Sequence, residues 1–261
     1  MVIVFLVMSL VCSTIMYAKL RQITHMNQHL FFIDNVIVAL VAWLIGMIFV
    51  KQPIVSIIVN LAFLPILAYV GIQIRFWRTP KREVVANESQ VVSPADGQII
   101  YINRICENDD YISIKNGRLS NIRELTMSDM IKKPCWQIGI NMTPFDVHKN
   151  CSPIDGTVIQ SIHIPGVFHS LKEFLSMTEN ERHTYVIQNQ SYAVGVVQIA
   201  SRRVRRIDSY VREGGMIKKG DWIGMIRFGS QVDLFLPLQF DIMVTIGQQV
   251  YAKKSIVAEA H

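Results

Sequence analysis

Two long apolar runs dominate the first third of the chain and predict helices that span a membrane. The run 31–50 carries a single charge, Asp34, and the run 54–74 carries none. Each approaches the roughly 20 residues that a helix needs to cross a bilayer. Only residues 51–53 separate the two runs, so we predict a helical hairpin with a short turn.

The segment 1–18 is also apolar, and we predict an extra spanning or interfacial helix there. It begins without a basic region and lacks a clear small-residue cleavage site, which argues against a cleaved signal peptide. Positive charges follow the apolar segments, with Lys19 and Arg21 after the first and a cluster within 75–82 after the last. Positive charge at membrane ends favours the cytoplasmic side. We therefore predict an anchor over 1–82 in the cell membrane, with the rest of the chain on the cytoplasmic face.

After this anchor, the chain changes to short runs of valine and isoleucine punctuated by glycine, proline, asparagine and aspartate. Such runs are typical of β-strands separated by turns. Helical periodicity is limited to 118–130 and 171–177. We therefore predict that 83–261 forms one mainly β domain, barrel-sandwich-like, with a few short helices.

Composition narrows the classes of function. The formal charge of +6 fits a protein that works against anionic lipid, and we expect no nucleic-acid partner. The four cysteines show no C-x-x-C spacing. We therefore expect neither a metal site nor a disulfide framework.

The dipeptide Gly229-Ser230 lies between two apolar stretches and has a chemistry of its own. The Ser230 hydroxyl can attack the Gly229 carbonyl and convert the peptide bond to an ester. Elimination then leaves a dehydroalanine, which hydrolyses to a pyruvoyl group. The attack needs a base that works near neutral pH, as histidine does, and donors for the developing oxyanion. A Gly-Ser pair is also a common turn, so the dipeptide alone identifies nothing.

Four further motifs accompany the dipeptide. They are S-P-A-D-G at 93–97, M-T-P-F-D-V-H-K-N at 142–150, I-P-G-V-F-H-S at 164–170 and E-N-E-R at 179–182. Together with F-G-S at 228–230, this set resembles the phosphatidylserine decarboxylase proenzyme family, above all its short, membrane-anchored prokaryotic form. The motifs keep the family's order from about 92 to 237, which is over half of the chain.

The resemblance implies roles for individual residues. Ser230 becomes the nucleophile and then the covalent pyruvoyl cofactor, and Gly229 supplies the carbonyl that it attacks. Asp96 and His148 match the aspartate and histidine that activate the serine, following the logic of a catalytic triad. Self-cleavage would give a β chain, 1–229, and an α chain, 230–261, that form a heterodimer; higher oligomers stay open.

The activity implied by the resemblance is decarboxylation of phosphatidylserine in the membrane to phosphatidylethanolamine, through a Schiff base with the pyruvoyl group. The chemistry acts on the serine head group alone, so archaetidylserine is an alternative substrate. A non-catalytic, membrane-tethered barrel-sandwich module is an alternative from another class. A carrier of that kind needs an exposed lysine at a tight hairpin, whereas Lys218-Lys219 lies in the run that leads to the next strand.

One position departs from the longer bacterial members of the family. They carry a second histidine three positions after the first, where this chain has Cys151. If that histidine is the base in the long form, His148 or another histidine must act here. His169 is the reserve candidate. The departure also leaves open an inactive relative that keeps the motifs but never matures.

Overall fold

The computed structural model describes residues 2–24, 26, 28–109, 112–114, 118–166, 180–200, 206–227 and 230–260. The helices within these ranges are α1 (Val2–Thr24), α2 (Gln28–Met47), α3 (Pro53–Trp77) and α4 (Ile122–Thr126). The strands are β1 (Gln90–Val92), β2 (Gly97–Ile105), β3 (Ile112–Ile114), β4 (Arg118–Ser120), β5 (Cys135–Met142), β6 (Lys149–Cys151), β7 (Gly156–Ile164), β8 (Arg182–Gln188), β9 (Ala193–Ile199), β10 (Ile207–Ser209), β11 (Met216–Ile217), β12 (Trp222–Ile226), β13 (Ser230–Pro237), β14 (Phe240–Ile242), β15 (Gln249–Val250) and β16 (Ile256–Ala260). Contacts divide the chain into a helical unit, Met1–Arg78 with Thr143–Phe145, and a β unit, Thr79–Met142 with Asp146–His261.

The helical unit contains α1, α2 and α3, each long and apolar enough to cross a membrane. Large apolar side chains such as Ile3, Phe32 and Ile58 face outward, which is favourable in lipid and costly in water. Polar groups lie between the helices, where the Ser13 hydroxyl donates to the carbonyl oxygen of Asn35 at 3.1 Å. Interhelical hydrogen bonds of this kind hold helices together in lipid. The unit therefore has the properties of a membrane anchor.

Asp34, the charge within the first long apolar run, is paired with Arg75 near the end of α3. The Arg75 Nε donates to Asp34 Oδ2 at 2.8 Å, and Nη2 contacts the other carboxylate oxygen. A charge among apolar helices is costly unless it finds a partner. Arg75 therefore compensates Asp34, in addition to belonging to the positive cluster at 75–82, where α3 ends.

The β unit is built on an eight-stranded antiparallel sheet with the order β11-β7-β8-β9-β13-β5-β2-β15. Two three-stranded sheets, β1-β16-β14 and β10-β12-β6, and the hairpin β3-β4 complete the described pairing. Side chains that alternate along the central strands pack into a buried core, which includes Ile138, Ile140, Val196, Val232 and Leu234. The prediction of a mainly β domain that follows apolar helices is confirmed.

The helix predicted over 118–130 is only partly present. Its first residues form β4, and the helix is confined to α4. The Asn121 side chain caps α4 by accepting the N–H of Arg123 at 2.8 Å, and Met127 ends it in a left-handed conformation with φ of 49°. The predicted helix at 171–177 lies outside the described residues.

Strand β13 lies in the middle of the large sheet, between β5 and β9. The register places Ser230 opposite Met142 and Pro237 opposite Cys135. The later strands β15 and β16 pair with β2 and β1, near the start of the β unit. The segment 230–260 is therefore hydrogen-bonded to earlier parts of the chain along several strands.

Candidate active site

Strands on both sides of Gly229-Ser230 pair with residues close to His148. Ahead of the dipeptide, the N–H of Ile226 donates to the carbonyl oxygen of His148 at 3.2 Å. After it, Ser230 lies opposite Met142 in the β13–β5 ladder. Gly229 lies outside the described residues, and only the backbone of Ser230 is described. The two pairings keep both ends of the dipeptide near the chain segment that contains His148.

His148 is completely buried, and its ring is oriented by the backbone. Nδ1 lies 2.9 Å from the carbonyl oxygen of Asp146. Because a carbonyl oxygen can only accept a hydrogen bond, the contact assigns the proton of the neutral imidazole to Nδ1. The basic lone pair is then on Nε2, which is the form that a general base requires.

Asp96 is the buried carboxylate of the S-P-A-D-G motif, and four described hydrogen bonds hold it. Arg82 donates Nη1 to Oδ1 at 2.5 Å and Nη2 to Oδ2 at 2.8 Å. The N–H of Ala252 donates to Oδ1 at 2.8 Å, and that of Val147 to Oδ2 at 3.3 Å. Val147 directly precedes His148, so Asp96 fixes the backbone that carries the histidine. The structure thus brings Asp96 and His148 together.

Arg82 is a residue of the candidate site that the sequence motifs did not reveal. Its hydrogen bond with Asp96 raises the pKa of the guanidinium, so Arg82 stays charged. Nη1 also donates to the carbonyl oxygen of Ala252 at 3.1 Å. Ala252 belongs to the segment 230–261, so the Arg82–Asp96 pair connects the two sides of the expected cleavage point. Spacing gives no signal for this contact, which depends on the tertiary fold, and Arg82 was grouped with the charges that follow the last apolar run.

The turn at 93–97 presents Asp96 through local interactions. The Ser93 hydroxyl donates to the carbonyl oxygen of Ala95 at 2.7 Å. Gly97 follows with φ of 154°, and a Cβ at this position would lie 2.4 Å from the carbonyl oxygen of Asn141. Glycine therefore permits the close approach of β2 to β5 immediately after Asp96.

Cys151 does not replace the second histidine as a base. Its thiol is buried and donates to the carbonyl oxygen of Ser93 at 3.4 Å. Burial raises the pKa of Cys151 to about 12, so it is a neutral thiol near neutral pH. His169, the reserve candidate, lies outside the described residues.

A second buried carboxylate, Asp233, lies in β13 shortly after Ser230. The Tyr101 hydroxyl contacts its two oxygens at 2.8 and 2.7 Å, and the amides of Gln137 and Gln231 each donate to it at 2.7 Å. Burial and the neighbouring carboxylate raise the pKa of Tyr101 well above its usual value, so the hydroxyl remains protonated. This network ties β13 to β2 and β5 next to the cleavage point. The sequence analysis did not find it.

Lys219 is hydrogen-bonded to backbone carbonyls, whereas a carrier module would need an exposed lysine. Lys219 Nζ donates to the carbonyl oxygens of Asn87 at 2.5 Å and Gln90 at 2.6 Å. Burial lowers the pKa of this amine. In the described part of the chain, no group of three or more His, Cys, Asp or Glu side chains is arranged to hold a metal ion.

Known proteins resemble the part of this chain that contains the candidate site. A family model described as phosphatidylserine decarboxylase matches residues 71–258. A protein of Methanocaldococcus jannaschii, provisionally named archaetidylserine decarboxylase proenzyme, is 39% identical over 185 residues, which are 70% of this chain and 87% of the relative. A phosphatidylserine decarboxylase proenzyme of Burkholderia ambifaria is 36% identical over 187 residues, 71% of this chain and 78% of the relative. The corresponding proenzyme of Burkholderia vietnamiensis gives the same figures. These matches confirm the resemblance found in the motifs.

Proposed function

This chain belongs to the phosphatidylserine decarboxylase family, and on that premise we propose that it converts phosphatidylserine to phosphatidylethanolamine. The reaction removes the carboxylate of the serine head group as CO2. We propose that the catalytic group is a pyruvoyl group made from Ser230 when the chain cleaves itself at Gly229-Ser230. The proenzyme names of the relatives support maturation by cleavage.

The assignment of the cleavage point rests on the backbone pairing on either side of it. Ile226 is hydrogen-bonded to the carbonyl oxygen of His148, and Ser230 lies opposite Met142. The short chain segment 142–148, which carries a buried imidazole with its lone pair on Nε2, therefore pairs with residues on both sides of the dipeptide. General acid–base catalysis requires a base of this kind within hydrogen-bond reach of the hydroxyl.

In the proposed self-cleavage, His148 Nε2 takes the proton of the Ser230 hydroxyl as its oxygen attacks the Gly229 carbonyl carbon. The C–N bond breaks, the released amine takes up the proton, and an ester replaces the peptide bond. Elimination then frees the carboxylate of Gly229 and leaves a dehydroalanine, which takes up water and loses ammonia. Asp146 keeps the imidazole in the required tautomer, and Asp96 holds its backbone.

The described residues support a pyruvoyl group at this position, because Ser230 starts β13 opposite Met142 and the buried His148 follows Met142 by six residues. The group supplies a carbonyl that binds an amine and takes up the electrons left when CO2 departs. The chain itself must then return a proton to the substrate carbon. We propose that His148, protonated on Nε2, is this donor.

The two products of cleavage should remain one folded unit. The α chain, 230–261, contains β13, which lies between β5 and β9, and strands that pair with β1 and β2. Cutting one peptide bond leaves this hydrogen bonding intact. We propose that the β chain and the α chain form a heterodimer held by the shared sheet.

The three long apolar helices support a reaction that takes place at a bilayer. A diacyl lipid leaves the membrane at a high free-energy cost, so an anchored enzyme meets its substrate in place. We propose that the β unit lies on the cytoplasmic face, because positive charges lie near the C-terminal end of α1 and at and after the end of α3.

Archaetidylserine is a second candidate substrate. The Methanocaldococcus jannaschii relative, at 39% identity, carries that name. The proposed chemistry uses only the serine head group, so it accommodates ester and ether tails alike.

The test is turnover by purified protein in vesicles that contain phosphatidylserine labelled in the serine carboxylate. We expect labelled CO2 and one equivalent of phosphatidylethanolamine from the unmodified protein, and neither from the Ser230→Ala variant. Vesicles with archaetidylserine at the same surface fraction measure the second candidate. Equal inactivity of the unmodified protein and the variant on both lipids would contradict the proposed function.

A further inference from the structure

Asn150, the last residue of the motif at 142–150, is completely buried, and its side chain joins two other strands of the β unit. Its Oδ1 accepts a hydrogen bond from Nε2 of Gln198, which is also completely buried, at 2.7 Å. Its Nδ2 donates to the sulfur of Met142 at 3.8 Å, a weak acceptor. Buried amides lose their hydration on folding, so these contacts hold Asn150 in one arrangement.

Strand β6, which contains Asn150, is held by the backbone of one neighbouring strand. In the described pairing it lies at the edge of the sheet β10-β12-β6, where Asn150 is opposite Gly224 of β12. This backbone ladder does not extend to the eight-stranded sheet. The Asn150 side chain makes a link to that sheet, because Gln198 lies in β9 and Met142 ends β5.

Both side-chain partners of Asn150 lie beside the strand that starts at the cleavage point. Strand β13 runs between β5 and β9. Met142 is opposite Ser230, and Gln198 is opposite Val232. Asn150 therefore contacts both neighbours of β13, close to the first residues of that strand.

Gly224 leaves room for the Gln198 amide. A Cβ at this position would lie 3.0 Å from Oε1 of Gln198 and 2.7 Å from the carbonyl oxygen of Asp208. Glycine therefore permits the close approach of β12 to the Gln198 side chain. The amide is enclosed, with Oε1 next to β12 and Nε2 donating to Asn150.

We propose that Asn150, held by Gln198, is a positioning residue for self-cleavage. It fixes β6 against the eight-stranded sheet and so keeps His148 in reach of Ser230. The inference rests on the proposed function and deepens it, because it assigns what places the base. His148 precedes Asn150 by two residues, so a shift of β6 moves the imidazole with it. A displacement of about 1 Å near a catalytic group can cost about 10²-fold in rate.

Replacing Asn150 by leucine, which has a similar shape, removes the hydrogen bond and leaves Nε2 of Gln198 without its acceptor. We expect cleavage at Gly229-Ser230 to slow by about 10–100-fold. Gln198→Met removes the donor, retains Asn150 and should slow cleavage by a similar factor.

The double variant Asn150→Leu/Gln198→Met separates positioning from stability. Apolar replacement of both partners of a hydrogen bond can be nearly neutral for stability. In the uncleaved Ser230→Ala background, we expect the double variant to melt like the parent. With Ser230 present, it should cleave as slowly as Asn150→Leu alone. Cleavage of the double variant or of Gln198→Met at the parental rate would overturn the proposal.

The matched control is Asn103→Leu. It breaks an amide pair of the same kind in the eight-stranded sheet, where Asn103 Nδ2 donates to Oε1 of Gln137 at 3.0 Å. Gln137 is opposite Phe235, near the far end of β13 from Ser230. We therefore expect Asn103→Leu to cleave at the normal rate. Equal slowing by Asn103→Leu and Asn150→Leu would contradict a special role for Asn150.

Hydrogen exchange in the uncleaved Ser230→Ala protein gives a readout that does not depend on the reaction. In the double variant we expect the amides of 147–151 to exchange about tenfold faster than in the parent, since one anchoring hydrogen bond is lost. The amides of β2 should be unchanged. Unchanged exchange at 147–151 would overturn the positioning role. If exchange rises as expected but the protein with Ser230 never cleaves, the positioning of β6 stands and the proposed self-cleavage fails.

Discussion

Replacing His148 by glutamine is expected to slow cleavage at Gly229-Ser230 by about 10²–10⁴-fold, the usual contribution of a general base. Glutamine keeps a polar side chain of similar reach but has no lone pair that accepts a proton near neutral pH. The histidine is buried, and its Nδ1 is engaged by the carbonyl of Asp146, so the substitution removes the base at Nε2. Preparations of the same variant should show correspondingly less decarboxylation, because fewer chains have made the pyruvoyl group.

A time course of newly synthesised protein on a denaturing gel measures this rate directly. The matched control is His29→Gln, which changes an exposed histidine at the start of α2 and should cleave at the normal rate. Normal cleavage of the His148 variant would exclude His148 as the base. Attention would then turn to His169.

Replacing Asp96 by asparagine is expected to destabilise the protein by about 3–5 kcal/mol, the usual cost of leaving one charge of a buried pair without its partner. The side chains of Asp96 and Arg82 are only 1% and 11% exposed. The variant also weakens the hydrogen bond to the N–H of Val147, which holds the backbone before His148. We therefore expect slower self-cleavage together with lower stability.

Apparent melting temperatures in detergent, measured in the uncleaved Ser230→Ala background, separate stability from maturation. The control is Asp129→Asn, which removes an ion pair with Arg123. The side chains of Asp129 and Arg123 are 74% and 75% exposed. Exposed pairs contribute little, so this control should melt like the parent. If the Asp96→Asn variant has the same melting temperature as the control and, with Ser230 present, cleaves at the normal rate, the Arg82–Asp96 pair neither stabilises the fold nor supports self-cleavage.

The sequence predicted those features that depend on local pattern. Apolar runs of membrane length predicted helices, and short runs of valine and isoleucine predicted the strands of the mainly β domain. The hydrophobic pattern predicts the ends of helices less precisely. The helix α1 continues to Thr24, beyond the apolar segment 1–18, because a helix need not end where the apolar residues end. At 118–130, a few apolar positions at helical spacing suggested one helix, and the chain forms the strand β4 and only the short helix α4.

The contacts that build the site come from tertiary structure, and sequence spacing does not encode them. Motifs pointed to Asp96 and His148, but not to Arg82 as the partner of Asp96, since Arg82 belongs to a positive cluster that was interpreted as the end of a membrane segment. Asp233 was equally hidden, because a polar residue in an alternating strand usually faces water. Asp233 is buried because β13 lies between β5 and β9 and because Tyr101 hydrogen-bonds to its carboxylate.

The structure also adds detail to the expected triad. In the triad logic, a carboxylate orients the base directly. Here the described contact of the His148 ring is with the backbone carbonyl of Asp146, and Asp96 binds the N–H of Val147. Orientation by the backbone is in keeping with the expectation that His148 acts as the base where this chain has Cys151.

The masses of the chains in the purified, unmodified protein test the central claim most directly. We expect two species, separated between Gly229 and Ser230, with an α chain that starts in a pyruvoyl group and resists N-terminal sequencing. The Ser230→Ala protein, prepared in parallel, should give one intact chain. A single full-length species from the unmodified protein, stable for hours at neutral pH, would contradict the account, because no catalytic group would then be made.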